Sequence, residues 1–250
     1  GFLLLEDLGD AIFARVLDAE PDLENRLYSA ATDLLCALHE VASPTDLEPF
    51  DPVTMSAQTD LAALWSARQP EYLEPLEAAC KAALEAAAAY EPVLILRDYH
   101  AENLIWLPAR TGASRVGLLD FQDARIGHQA YDLASLLHDA RRSVTAPVQM
   151  AVTKQMATQK GGAVSELSHA LAAQGAQRNL RILGVFARLS LHFGKAHYID
   201  LIPRVWANLT EELAHPALAT LRKTVEETLP PPSAAHLKDL KDRCGTIPTL

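Results

Sequence analysis

Residues 93–123 read VLILRDYHAENLIWLPARTGASRVGLLDFQD. Two short apolar runs, 93–96 and 116–119, each deliver the chain to an aspartate, the first through Arg97 to Asp98 and the second directly to Asp120. Between them lie a polar loop ending at Asn103, a third apolar run over 104–107 and a turn over 108–113. Short apolar runs bounded by turn residues are the pattern of buried strands. The expectation is a small β-hairpin that gathers Asp98, Asn103 and Asp120 in one place. Two carboxylates and an amide are hard oxygen donors, which suit Mg²⁺ because that ion completes its shell with substrate phosphates. A D-x-x-x-x-N loop followed by a strand-borne Asp is also the arrangement of phosphoryl transfer, with a base on the loop and an Asn and a second Asp on metal. Taken alone, D-x-x-x-x-N is common by chance. The apolar hairpin and the following Leu118-Leu119-Asp120-Phe121 make it more specific.

With these residues in view, the chain resembles the aminoglycoside phosphotransferase and choline kinase group, relatives of protein kinases. Asp98-Tyr99-His100-Ala101-Glu102-Asn103 matches the D-x-H-x-x-N loop of that group, and Leu119-Asp120-Phe121-Gln122-Asp123-Ala124 looks like its metal-binding segment. Gly127 followed by Tyr131-Asp132-Leu133-Ala134 looks like its G-x-x-x-Y-D-L-A element. Within the group, F-Q-D-A followed by Y-D-L-x-S-L-L is most similar to bacterial anomeric sugar kinases acting on N-acetylmuramate and N-acetylglucosamine. One position departs: the family usually carries His-Gly before the catalytic Asp, and here the pair is Leu96-Arg97.

The resemblance implies an α+β chain, the mostly helical C-terminal lobe of a protein-kinase-like fold with a small catalytic hairpin over 93–123. Residues 1–10 would be the end of the N-lobe and the hinge, 11–229 the helical lobe and 230–250 a tail that packs loosely or frays. A strand at 2–5 would run into Glu6, Asp7 and Leu8, with Gly9 permitting a tight bend. These hinge residues, together with Leu104 and Leu119, would hold the adenine of ATP. No Gly-rich loop and no strand Lys with a helical Glu partner precedes the hinge, although kinases need both to hold the phosphates. The expectation is that the N-lobe is largely absent from this chain and that the isolated chain is a weak kinase.

Composition narrows the partners. A formal charge of -10 disfavours nucleic acid and anionic membrane surfaces. Hydrophobic residues at 49% argue for a globular fold. Three widely spaced cysteines without a CxxC favour neither disulfides nor zinc, so a reducing cytoplasm is the expected setting. No apolar run reaches the roughly 18 residues of a membrane span. The start, Gly1-Phe2-Leu3-Leu4-Leu5, lacks an initiator Met and a basic segment, so it is not read as a signal peptide.

Elsewhere the apolar spacing predicts helices. Two lie over 10–41, punctuated by Pro21; others cover 59–66, 75–90, 131–140, 144–158, 164–173, 178–193, 197–213 and 216–229. Residues 43–52 and 125–129 are expected to be loops. The alanine-rich stretch 82–89 is expected to pack closely under the catalytic hairpin, because alanine joins high helix propensity to little bulk.

Individual residues divide between chemistry and support. Asp98 is the expected general base and orienter of the acceptor hydroxyl, with Asn103 and Asp120 on Mg²⁺. Asp123, His128 and Tyr131 are candidates for the acceptor site, Asp123 equally for a second metal or for Arg125. His100 is expected to fix its own loop. Asp132, at a helix start, is expected to cap backbone donors and brace the catalytic loop near Tyr99 and His100. Arg97 is expected to point away into a salt bridge, and Trp106 and Phe121 to lie in the core. Arg141 and Arg142 fit either a sugar carboxylate or a solvated helix end.

The function these readings favour is transfer of the γ-phosphate of ATP to a small-molecule hydroxyl. The preferred acceptor is the anomeric hydroxyl of an N-acetylated amino sugar; the alternatives are an aminoglycoside, choline or another amino alcohol. An aminoglycoside pocket should show clustered acids beside Asp98. A pseudokinase-like binding module and a metal-dependent hydrolase stand as rivals from other classes.

Overall fold

The computed structural model of the protein describes residues 6–87 and 90–248. The expected strand at 2–5 lies outside the described residues, as does the end of the 82–89 run.

Strands β3 (Leu104–Trp106) and β4 (Val116–Leu118) form the hairpin, antiparallel with Leu104 opposite Leu118 and Trp106 opposite Val116. The segment before the first helix lies across it. Trp106 N–H donates to the Ala11 carbonyl at 2.7 Å, Ile12 bridges Ile105, and Leu8 covers Gly117 so closely that a Cβ there would meet Leu8 Cδ1 at 2.7 Å. Gly9, at φ +72°, supplies the expected bend.

The expected single hairpin over 93–123 is divided between two sheets. Strand β2 (Val93–Ile95) pairs antiparallel with β5 (Arg125–Gly127), and β5 pairs in parallel with β1 (Pro49–Phe50). Both β1 and β5 fall where loops were expected. Strands of two and three residues leave too little alternation to register as a pattern.

Helices make up the rest. The first two, α1 (Phe13–Ala19) and α2 (Glu24–Leu38), divide at Pro21 as expected. Short α3 (Pro52–Ala57) starts where Asp51 Oδ1 accepts from Thr54 N–H at 2.7 Å, with proline in the first turn. The helix expected at 59–66 is a π-helical turn, Ala62–Ala67. Helix α4 (Leu73–Ala86) packs chiefly against α3 and α9 (Ala219–Thr228), rather than under the hairpin.

Beyond the strands come α5 (Ala130–Leu137), α6 (Ala146–Lys160) and α7 (Val164–Leu191). The expectation of separate helices at 164–173 and 178–193 is corrected: α7 runs unbroken through Gln174-Gly175-Ala176-Gln177. Gly175 mimics a break in the sequence, yet its bareness admits the buried carboxylate of Glu212, whose Oε1 would lie 1.8 Å from a Cβ. Helix α7 contacts α5, α8 (Ile202–Leu213) and the π-helical turn, and so forms the spine of the molecule. Within the described residues the tail is packed against the helical lobe. Helix α10 (Ala234–Asp242) buries Leu240, and beyond it Gly245 and Ile247 donate to the Ser190 and Leu191 carbonyls at the end of α7. Among the described residues, no helix is long and apolar enough to cross a membrane.

Candidate active site

The loop from Asp98 to Asn103 is held from three sides. Asn103 Nδ2 donates to the Asp98 carbonyl at 2.9 Å and closes the loop on itself. The buried Tyr99 hydroxyl donates to the Ala31 carbonyl of α2 at 2.8 Å. Behind it, Asp132 accepts from Leu96 N–H at 2.6 Å and from Arg97 N–H at 2.9 Å. Asp132 thus bonds to backbone three residues earlier than the Tyr99–His100 pair named for it. The reason is that the N–H groups freed where β2 ends are those of Leu96 and Arg97. Asp132 is fully buried, and burial pushes its carboxyl up to about 6 against the pull of the two donors.

Arg97 occupies a left-handed conformation, φ +69°. That accounts for the family's glycine at this position, since left-handed backbone costs a side-chain-bearing residue roughly 1–2 kcal/mol. The expected salt bridge is not made among the described residues; the Arg97 guanidinium instead lies over the Phe50 ring, 4.8 Å from its centroid.

Asp120 also adopts a left-handed conformation, φ +57°, which Asp tolerates better than most residues. The ladder extends one bond past β4, Leu119 N–H to the Asn103 carbonyl at 2.9 Å, and the chain then turns at Asp120. The two halves of the motif thus meet at the mouth of the hairpin. Asp98, Asn103 and Asp120 line one cavity of about 450 Å³, together with Glu102 and His100. Burial lowers the His100 pKa, so its ring is neutral at pH 7, in keeping with a structural part in the loop.

These donors fit a magnesium ion. Asn103 spends its Nδ2 on the loop and leaves Oδ1 free to donate a lone pair; Asp120 Oδ1 accepts from Gln122 at 2.6 Å. Among the described residues, no group of three or more His, Cys, Asp or Glu side chains forms a complete metal cage. A pair of oxygens suits an ion that takes its other ligands from phosphates and water.

Other expected residues fall elsewhere. His128 lines a separate cavity beside Tyr90, and its Nδ1 accepts from Ala130 N–H at 3.1 Å. Tyr131 is buried edge-on to Phe50, ring centroids 5.4 Å apart. Neither residue lines the cavity that holds Asp98. Asp123 is exposed in a turn after Asp120 and does not line the cavity. Phe121 is 58% exposed, against the expectation of a core residue, whereas Trp106 is buried against Phe13 as expected. Of the expected adenine contacts, Leu104 is fully buried in β3 and Leu119 is exposed. Glu6 pairs with Arg110, Asp7 accepts from Gly9 N–H at 2.8 Å, and Leu8 rests on the hairpin.

Of the far wall of the cavity, only Arg141 was foreseen. The wall comes from α7 and the turn after α5: Arg178, Arg181, Asp139 and Arg141, over an apolar floor that includes Ile182 and Phe186. Arg178 and Arg181 share a helix face by their i,i+3 spacing, a signal available in the sequence but indistinguishable there from an ordinary solvated face. Arg142 turns the other way, to Asp18 and the Ala14 carbonyl of α1.

A loop-borne Asp facing an Asn and a second Asp across a hairpin, on a helical lobe, is an arrangement suited to phosphoryl transfer. The chain belongs to the phosphotransferase enzyme family, whose model matches residues 1–168. It is 40% identical over 249 residues to the N-acetylmuramate/N-acetylglucosamine kinase of Caulobacter vibrioides, covering 92% of this chain and 68% of that protein. It is 30% identical over 242 residues to the protein of the same name from Pseudomonas putida, covering 91% and 69%. The fold matches that of a choline/ethanolamine kinase family protein from Mesorhizobium loti with a TM-score of 0.59 at 15% identity, over 86% of this chain and 70% of that one. The chain is thus a phosphotransferase enzyme with a kinase-like fold.

Proposed function

We propose that the protein transfers the γ-phosphate of ATP to the anomeric hydroxyl of an N-acetylated amino sugar in the cytoplasm. The observation that carries the choice of acceptor is the far wall of the cavity. Glu102 and Asp120 stand beside Asp98, on the side proposed for metal; the rest of the lining holds three guanidinium groups and one carboxylate, where a polycationic aminoglycoside or a quaternary amino alcohol needs clustered acids. The names of the curated relatives point to the same acceptor class.

In this reading Asp98 orients the acceptor hydroxyl toward the phosphorus and takes its proton as the bond to oxygen forms. The loop bonds of Asn103, Tyr99 and Asp132 hold that carboxylate in place, so part of the entropy of aligning two reactants is met before they arrive. Asn103 and Asp120 would hold Mg²⁺, which supplies charge neutralisation on the transferring phosphate. Glu6, Asp7 and Leu8, with Leu119, are the proposed nucleotide contacts.

The test is a coupled ADP-release assay on the full-length protein with N-acetylmuramate, N-acetylglucosamine, kanamycin and choline, with and without Mg²⁺. Expected is Mg²⁺-dependent turnover with the sugars, formation of a sugar 1-phosphate visible by phosphorus NMR, and a loss of roughly a hundredfold or more for Asp98→Asn. Turnover with kanamycin or choline but neither sugar overturns the proposal.

A further inference from the structure

Unpaired guanidinium groups are uncommon away from bulk water, because a desolvated charge is costly unless an opposite charge meets it. Arg178 is 6% exposed, and among the described residues its guanidinium makes one long hydrogen bond, 3.4 Å, from Nη1 to the His138 carbonyl. Arg181, one helical turn on, makes no ion pair among the described residues, and burial lowers its pKa. Arg141, 43% exposed in its side chain, stands 3.7 Å from Asp139. Asp139 also accepts from the Arg141 backbone N–H at 3.0 Å, and its other oxygen has no partner. The wall therefore holds three guanidinium groups against one carboxylate of its own, with Asp98 across the cavity and the buried Asp132 behind it the other carboxylates that act on Arg181 and Arg178. The opposite wall, with Asp98, Glu102 and Asp120, is negative and is the side suited to a metal.

This polarity separates the two sugars in the relatives' name. N-acetylmuramate is N-acetylglucosamine bearing a lactyl ether, and the carboxylate of that ether is the only formal charge on either sugar. A planar guanidinium receives a carboxylate through two parallel N–H···O bonds. The apolar floor of Ile182 and Phe186 beside the arginines suits the methyl group of a lactyl or acetyl substituent. Resting on the acceptor class proposed above, we propose that Arg178, Arg181 and Arg141 form a carboxylate subsite that ranks acid-bearing amino sugars above neutral ones.

The experiment compares kcat/KM for N-acetylmuramate and N-acetylglucosamine in the full-length wild-type protein and in Arg181→Gln, Arg178→Gln and Arg141→Gln. The wild-type ratio of acid to neutral sugar should favour the acid at least tenfold. In Arg181→Gln or Arg178→Gln that ratio should fall at least tenfold, mainly through KM, with Arg181→Lys falling less because it keeps charge but loses the two-pronged geometry. Thermal melts identify a variant that fails to fold; if Arg178→Gln does, the more exposed Arg141 and Arg181 decide. A ratio unchanged in every folded variant overturns the subsite, and so does an equal loss of kcat for both sugars, which would assign the arginines to the transferring phosphate. If the wild type turns over neither sugar, the acceptor reading fails by itself. Calorimetric titration without nucleotide then decides the subsite: tighter binding of N-acetylmuramate, lost in Arg181→Gln, supports it, and equal or absent binding of the two sugars overturns it.

Discussion

Replacing Asp132 by alanine removes the acceptor for two backbone donors at the base of the catalytic loop. Leu96 and Arg97 N–H groups, at 2.6 and 2.9 Å from the fully buried carboxylate, would lose their partner, the first in a buried and the second in a half-buried position. A buried donor left unmet costs about 1–3 kcal/mol, so the pair amounts to roughly 2–6 kcal/mol. The cost depends on pH. Burial holds the native carboxyl at about 6, above the reference value of 3.8. Between those two values the native state keeps a proton that the unfolded chain has released, so raising the pH withdraws stability from the wild type. Going from pH 5 through the native pKa withdraws about 1.4 kcal/mol, a contribution that Asp132→Ala lacks altogether. The variant should therefore lose roughly 2–6 kcal/mol relative to wild type at pH 5 and about 1.4 kcal/mol less than that at pH 7.5. Urea denaturation followed by tryptophan fluorescence measures both, since Trp106 sits on the hairpin beside the loop. A loss under about 1 kcal/mol at pH 5 would refute the brace. A loss that grows with pH would show the two donors outweighing burial, with the carboxylate more stable charged than neutral.

Three further outcomes follow from the geometry. Asp120→Asn should abolish Mg²⁺-dependent turnover while leaving the thermal midpoint nearly unchanged, because the position is exposed and Asn tolerates its left-handed φ; full activity would remove Asp120 from the metal site. Arg97→Gly relieves roughly 1–2 kcal/mol of left-handed strain and forfeits about 0.5–1 for the Phe50 contact and about 0.5–1 for backbone entropy. Stability should thus stay within about 1 kcal/mol of wild type, and a loss above about 2 kcal/mol in denaturant melts would mean the side chain does more than cover Phe50. Gly184→Ala sets a methyl group 2.2 Å from the Leu61 carbonyl carbon, where α7 passes the π-helical turn. Because backbone rather than a flexible side chain must move, the variant should lose about 1–3 kcal/mol or more, and an unchanged denaturation midpoint would contradict that close approach.

The meeting of Asp98, Asn103 and Asp120 in one cavity was legible in the sequence because its parts are local. Asp98 and Asn103 share one tight loop, and Asp120 follows from a hairpin whose strands are near neighbours along the chain, so spacing alone brings the three together. The helices over 10–41, 144–158 and 197–229 were legible for the same reason: apolar periodicity is a property of adjacent turns. Sequence could not supply the side of each sheet, nor the opposite wall of the cavity. His128 and Tyr131 lie close to Asp120 in sequence, yet beyond β5, paired between β1 and β2, His128 lines a separate cavity and Tyr131 is buried against Phe50. Arg178 and Arg181 lie far along the chain and reach the cavity only because α7 runs unbroken across α5, through a glycine that reads as a stop. Long-range packing decides such placements, since a side chain's neighbours across a core depend on every element between them. The gathering of Asp98, Asn103 and Asp120 at the hairpin was written in local spacing; the arginines that face them were placed by tertiary packing.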